Sequence, residues 1–319
     1  MRYFITLTLS VLAIALSLPA LAAPTVSTTG YLQVRYSELF GAADTNKATG
    51  YFDKDNGTFQ IRRARLAIKG TIDPQTSATI EIDGSKGAVE TTKAFVAYTL
   101  HDCTIAAGRN TLPFTYEIQL SSTSMTTLER SMMARALSEY GVGLFITPQG
   151  AYIPCKLTAA IINGDDTMVD TNSNKLIVAS AEYPAGTHLK LGASYLTGMN
   201  GHYGVNGYLV GQYGPIGAVA EYTQAEFTDK LAAMDGRNQG WYVLGTYDLN
   251  PTVRLHARYE AFDKAGAPET TYKTKHNIAL GGTYFQSGNM KCTLEYQFIH
   301  DPANPALNNA LGTQWQVRF

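Results

Sequence analysis

The chain has 319 residues, a formal net charge of −1, 16% charged residues, 20 tyrosines and 29 glycines. This balance leaves no basic footprint for a nucleic-acid partner. The length is twice that of a usual domain, yet no linker, charge block or low-complexity segment divides the chain. A mean hydropathy near zero with so few charges suits a wall that is apolar on one side and wet on the other.

Residues 1–22 read as a secretory signal segment: Arg2 gives the positive start, Phe4 to Leu18 is apolar, and Ala20-Leu21-Ala22 ends it with small residues. Cleavage is expected after Ala22, because a cut one residue later would place Pro24 behind the scissile bond. The apolar run is shorter than the ~20 residues of a spanning helix. No later stretch is long and apolar enough to span as a helix, so residues 23–319, read as one domain, must cross a membrane as strands if they cross at all.

Period-two alternation then recurs to the end. Strands are expected at 27–40, 57–73, 77–84, 89–100, 103–110, 138–147, 151–163, 175–183, 188–197, 203–213, 217–227, 239–249, 253–262, 275–286, 290–300 and 311–319. Tight turns rich in Pro, Gly, Asn and Asp fall at every second connection, at 73–76, 101–102, 148–150, 184–187, 214–216, 250–252 and 287–289. Longer connections lie between them at 41–56, 111–137, 164–174, 228–238, 263–274 and 301–310, with short ones near 85–88 and 198–202. The expected fold is therefore all-β, a transmembrane antiparallel β-barrel of about 16 strands in a bacterial outer membrane, with both chain ends periplasmic. The last strand alternates Leu311, Thr313, Trp315, Val317 and Phe319 with polar residues, and its terminal Phe319 looks like the signal read by the barrel-assembly machinery.

Parity assigns the faces: apolar residues to lipid, the alternate set to the lumen. This turns Arg35, Arg63, Arg65, Lys69, Lys93, Lys156, Lys190, Arg254, Arg258, Lys291 and Arg318 inward, with His256, against Glu81, Asp83, Glu182, Glu221, Glu260 and Glu295. Eleven bases against six acids make a net positive wall and a modest preference for anions, unless the acids simply pair with the bases and the pore is a non-selective one. Arg62 breaks the parity and is expected at the rim or in a subunit contact.

The longest connection, 111–137, mixes polar and apolar residues and is the one place with a trace of helical period. Folded inward as the third loop it would narrow the lumen, with Glu117, Glu129, Arg130 and Arg135 as its charges and Leu120, Met125, Leu128, Met132 and Met133 packing it to the wall.

The run Phe59-Gln60-Ile61-Arg62-Arg63-Ala64-Arg65-Leu66 with Gly70, then Gly108-Arg109 with Pro113-Phe114 and Glu117, then Leu128-Glu129-Arg130-Ser131, then Asn163-Gly164 with Asp170, Asn172 and Lys175, and finally Phe319, resembles the phosphate-selective porin O and P family. The resemblance implies a sixteen-stranded homotrimer whose third loop folds into the pore and whose inward Arg and Lys attract phosphate or related anions. Small outward residues such as Gly192 or Ala193 are weak further support for a trimer.

Chemistry of other kinds finds little footing. There is no Gly-x-Ser-x-Gly elbow and no His-Glu-x-x-His, and the six histidines are scattered, so neither catalysis, a cofactor nor a metal is expected. Asp170-x-Asn172-x-Asn174 has the opening of a calcium loop, but Lys175 stands where its Gly belongs and Ala181 where its Glu does. The three cysteines, Cys103, Cys155 and Cys292, are read as packing or lipid-facing residues. The expected partners are outer-membrane lipid and small anionic or hydrophilic solutes; an outer-membrane enzyme or adhesion barrel is the alternative class.

Overall fold

A sheet with one apolar face per strand can leave no unpaired edge in hydrocarbon, and closure on itself is the arrangement that removes the edges. The computed structural model describes residues 23–40, 57–85, 87–150, 154–163, 174–198, 201–227, 236–263, 274–302 and 309–319. The expected signal segment, the connection 41–56 and the Asp170/Asn172 run lie outside them.

Among the described residues sixteen strands form one closed antiparallel barrel in which each pairs with its chain neighbours and the first with the last. They are β1 (Thr25–Phe40), β2 (Thr58–Thr71), β3 (Thr76–Asp83), β4 (Glu90–Leu100), β5 (Cys103–Thr111), β6 (Tyr140–Pro148), β7 (Lys156–Asn163) and β8 (Lys175–Pro184). The second half comprises β9 (Leu189–Gly198), β10 (Tyr203–Tyr213), β11 (Ile216–Phe227), β12 (Gly236–Asn250), β13 (Val253–Asp263), β14 (Lys275–Ser287), β15 (Met290–His300) and β16 (Asn309–Arg318). Two short helices, α1 (Tyr116–Gln119) and α2 (Met132–Ala136), lie in the connection between β5 and β6. Each expected strand is present. β7 is shorter than the expected 151–163, whose first three residues lie outside the described set, and β12 begins three residues early.

The tight turns gather at one end of the barrel together with the start of β1 and the end of β16. Their residue chemistry explains them: Asp73 Oδ1 accepts from the Gln75 and Thr76 amides, both at 2.7 Å, and these bonds, the Gln75 amide first, hold its carboxyl below the usual carboxylate range. Asn250 Oδ1 accepts from the Thr252 amide at 2.9 Å in the same way.

Closure is completed at the last residue. Phe319 and Gly30 exchange backbone hydrogen bonds of 2.8 and 3.0 Å, and the Phe319 ring lies over Gly30, where an added Cβ would come within 2.6 Å of it. The terminal aromatic thus caps the seam between β1 and β16.

Burial along the strands follows the expected parity. On β13, His256, Arg258 and Glu260 are buried inward while Leu255, Ala257 and Tyr259 are exposed on the outer face. The buried apolar cluster lies inside the barrel, where Leu112, Phe114, Ile118, Leu128, Met132 and Met133 of the β5–β6 connection pack on wall residues such as Phe145, Val178 and Leu196.

Candidate functional site

The β5–β6 connection folds into the lumen, as its length and its leucines and methionines suggest. Backbone groups carried into a protein interior need partners, and inward side chains from across the barrel supply them. The Ser194 hydroxyl of β9 accepts from Thr115 N at 3.2 Å, and Glu221 of β11 accepts from Tyr116 N at 2.6 Å. Glu260 of β13 accepts from Met132 N at 2.8 Å and Glu295 of β15 from Leu128 N at 3.1 Å. In the other direction, Lys291 of β15 donates to the Met125 carbonyl at 2.7 Å, and Gln33 and Gln316 donate to the carbonyls of Ser122 and Thr123.

The loop braces itself as well. Thr115 caps α1 and Ser131 caps α2, their hydroxyls accepting from Ile118 N and Ala134 N. Glu117 spans the two helices, accepting from Ser131 N, and lies 3.5 Å from Arg258 of β13. Pro113 is buried beside Phe114, which is wholly buried with its ring against Gly204 of β10, where a Cβ would come within 2.8 Å.

The strongest latch is Glu129. Arg35 of β1 donates to its Oε1 at 2.5 Å, and Arg62 of β2 donates to both carboxylate oxygens at 2.6 and 3.0 Å. Burial pushes the Glu129 carboxyl up, but Arg35, Arg62 and Arg63 outweigh it and hold the group well below the ordinary range. The expectation that Arg62 lies at the rim or in a subunit contact is therefore corrected. The β1–β2 register steps from Gln33↔Arg63 to Val34↔Ile61, leaving Arg62 as the extra residue of a β-bulge. A bulge sets two residues against one and re-aims a side chain, so Arg62 and Arg63 both face the lumen. Gly192 is corrected too: it faces inward on β9, opposite Tyr208, whose ring lies over it.

Beside the latch is a cavity of about 710 Å³ between the loop and β2–β6. Six arginines line it, Arg62, Arg63, Arg65, Arg109, Arg130 and Arg135, against four carboxylates, Asp83, Glu90, Glu129 and Glu139. Arg63 is buried and donates to the neutral Gln33 at 2.9 Å. Arg65 is held by Asp83 at 2.9 Å and by the Tyr140 hydroxyl at 2.7 Å, with the Tyr31 and Tyr140 rings over its guanidinium. Arg130 is a staple of the loop, bonded to the Glu117 carbonyl at 2.7 Å and to Glu139.

The other expected wall bases do not gather there. Lys93 is 3.9 Å from Glu81, and Arg254 is bound by Asp248 through bonds of 2.6 and 2.9 Å. Lys69 and Lys156 are exposed near the turn end of their strands, opposite Thr79 and Glu182. Arg254 joins Lys291 and Arg318 around a smaller hollow of about 150 Å³, met by loop residues 123–126. Arg258 is fully buried beneath the loop, bound to Glu260 at 3.1 Å and to the Glu129 carbonyl at 2.8 Å. Parity missed Arg109, which follows Gly108 at φ +131°, an irregular strand position, and turns into the cavity with its guanidinium 5.5 Å from the Tyr140 ring centre. It also omitted Asp248, although the alternation of β12 would have found it.

A family model for phosphate-selective porin O and P matches residues 40–203. No curated protein matches the chain by sequence. Solved structures of similar fold include the anion-selective porin from Comamonas acidovorans, with a TM-score of 0.68 at 14% identity over 92% of this chain and 99% of that one. The outer-membrane channel DcaP of Acinetobacter baumannii gives 0.67 at 14% identity, over 95% and 99%. A loop L8 deletion mutant of OmpT, an outer membrane protein of Vibrio cholerae, gives 0.69 at 14% identity, over 93% and 100%. With the family match covering more than half of its length and a closed sixteen-stranded barrel, the chain belongs to the phosphate-selective porin O and P family and is an outer-membrane porin.

Proposed function

We propose that this porin passes small hydrophilic solutes passively, with a modest preference for anions such as phosphate set at the arginine-lined cavity beside the loop. One observation carries the reading: six arginines meet four carboxylates there, and two of the six, Arg63 and Arg109, have no carboxylate partner among the described residues. Guanidinium groups stay charged at any working pH and present paired donors that match phosphate or carboxylate oxygens. The preference is modest because Glu129, Glu139 and Asp83 already occupy Arg35, Arg62, Arg130 and Arg65. A non-selective pore is the reading that this pairing favours instead, and competition separates the two. Millimolar phosphate should depress chloride current through single reconstituted channels; chloride current indifferent to phosphate would remove phosphate from the account.

The assembled state completes the proposal. Residues 1–22 are removed on export, the turn end with both termini faces the periplasm, Phe319 serves the barrel-assembly machinery, and three copies associate, in line with the family and with a trimer form of OmpT among the similar structures. The channel works without cofactor or catalysis.

A further inference from the structure

Residues directly opposite on neighbouring antiparallel strands share a face and stand within side-chain reach of one another. At the loop end of the barrel this rule brings two histidines together. His276 of β14 is the register partner of His300 of β15, and the next pair on the same face, Ile278 and Phe298, is exposed on the outer wall. Both imidazoles therefore lie outside the lumen, at the loop-side ends of their strands. Their rings complete a row across four strands: Trp241 of β12 to Tyr259 of β13 at 5.3 Å, Tyr259 to His276 at 5.9 Å, and His276 to His300 at 6.2 Å. Far apart in sequence, the two histidines are joined only by the β14–β15 register, which is why they look scattered along the chain.

A girdle at the membrane border is built from Trp and Tyr, and the histidines at the end of this row carry a further arrangement. The Tyr259 hydroxyl lies 2.8 Å from His276 Nδ1. The two nitrogens of an imidazole point to roughly opposite sides of the ring, so with Nδ1 engaged toward β13 the Nε2 side is the one next to β15 and His300. A metal-ligating histidine characteristically donates its other N–H to an oxygen, which fixes the tautomer and the ring orientation, and the Tyr259 oxygen can accept that bond. The spacing fits as well. With each nitrogen ~2.1 Å from a shared ion, two imidazole centres stand no more than ~6.4 Å apart, and a tetrahedral ion would draw these rings about 1 Å closer than the observed 6.2 Å. The charged residues beside the pair, Lys275 and Asp301, are bonded to each other at 2.6 Å, so the lysine charge is answered there.

We infer that His276 and His300 bind one divalent transition-metal ion, of the copper or zinc class, on the outer wall at the loop end, with Tyr259 as the positioning residue. Imidazole suits these ions, whereas calcium and magnesium take oxygen ligands. Among the described residues no group of three His, Cys, Asp or Glu side chains could hold a metal, so water fills the remaining positions. Such a site binds reversibly and more weakly than a closed four-ligand centre. The ion ties β14 to β15 at their loop-side ends, outside the conduction path.

The test uses the whole barrel folded in detergent, without an affinity tag and with Cys103, Cys155 and Cys292 replaced by Ser so that thiols do not compete for copper. Titration with CuCl2 should saturate at one ion per chain, and the electron paramagnetic resonance spectrum of the bound ion should show coupling to two imidazole nitrogens. His276→Phe and His300→Phe, which keep a ring in the row, should each weaken binding at least tenfold. His188→Phe, which alters an exposed histidine at the turn end, should leave binding unchanged. Copper bound as tightly in His276→Phe or His300→Phe as in the parent, or a parent with no saturable site, overturns the proposal. Loss of binding in His188→Phe alone places the ion elsewhere and overturns it too. Heat-modifiable mobility shows that each barrel has formed, and if one of the two row variants does not assemble the other decides.

Discussion

Glu129 is buried between guanidinium groups from two strands, and its worth is best judged by what its loss would leave. Replacement by Gln would remove the carboxylate to which Arg35, at 0% exposure, and Arg62 both donate. Removing one partner of such a buried pair typically costs about 3–5 kcal/mol. Glu129→Gln should therefore lower the denaturant midpoint of the folded barrel and raise single-channel conductance as the loop loosens; an unchanged midpoint and conductance would show that the latch holds nothing. The two residues whose orientation strand parity misassigned or missed at this site are Arg62 and Arg109. Parity presumes an unbroken pleat, and each sits where the pleat is broken, Arg62 at a bulge and Arg109 beside a glycine at positive φ. The adjacent pair Arg62-Arg63 was a visible signal, because two consecutive charges cannot both leave lipid on a regular strand.

The loop between β5 and β6 shows how far a segment's destination can be read from its composition. Leu128, Met132 and Met133 mark a surface that must be covered, and all three are buried in the lumen. Which wall groups its acids meet was not legible, since Glu117 reaches Arg258 across 141 residues of chain, and only the docked path brings them together. That docking changes the electrostatics locally: Glu117 and Glu129 of the loop pair with Arg258 and Arg35, and Asp248 of the wall with Arg254, while the loop adds Arg130 and Arg135 to the cavity. Deleting residues 116–136 should raise conductance severalfold with the barrel intact, and a deletion that leaves conductance unchanged would place the restriction elsewhere. A gentler probe is Gly204→Val, whose side chain would meet the Phe114 ring. It should destabilise the docked loop by roughly 1–3 kcal/mol, the usual cost of overpacking, seen as flickering open-channel current.

At the scale of the whole molecule the architecture was the most legible feature, because strand alternation and the sorting of tight turns to alternate connections are local, repeated many times, and agree with one another. All sixteen strands and their closure follow from that repetition. The net effect of the charges on a passing ion is a sum over arginines and carboxylates a few ångströms apart, and no local pattern gives it. The proposed anion preference requires this sum to be positive at the cavity. The preference should weaken with salt, since the Debye length falls from ~10 Å at 0.1 M to ~3 Å at 1 M. The most direct measurement is the reversal potential of the reconstituted channel in a KCl gradient at low ionic strength. The potential should be displaced toward the chloride side, reduced at high salt and shifted toward the cation side by Arg63→Glu with Arg109→Glu. A wild-type channel that is already cation-selective, or a potential that the double substitution does not move, would contradict it.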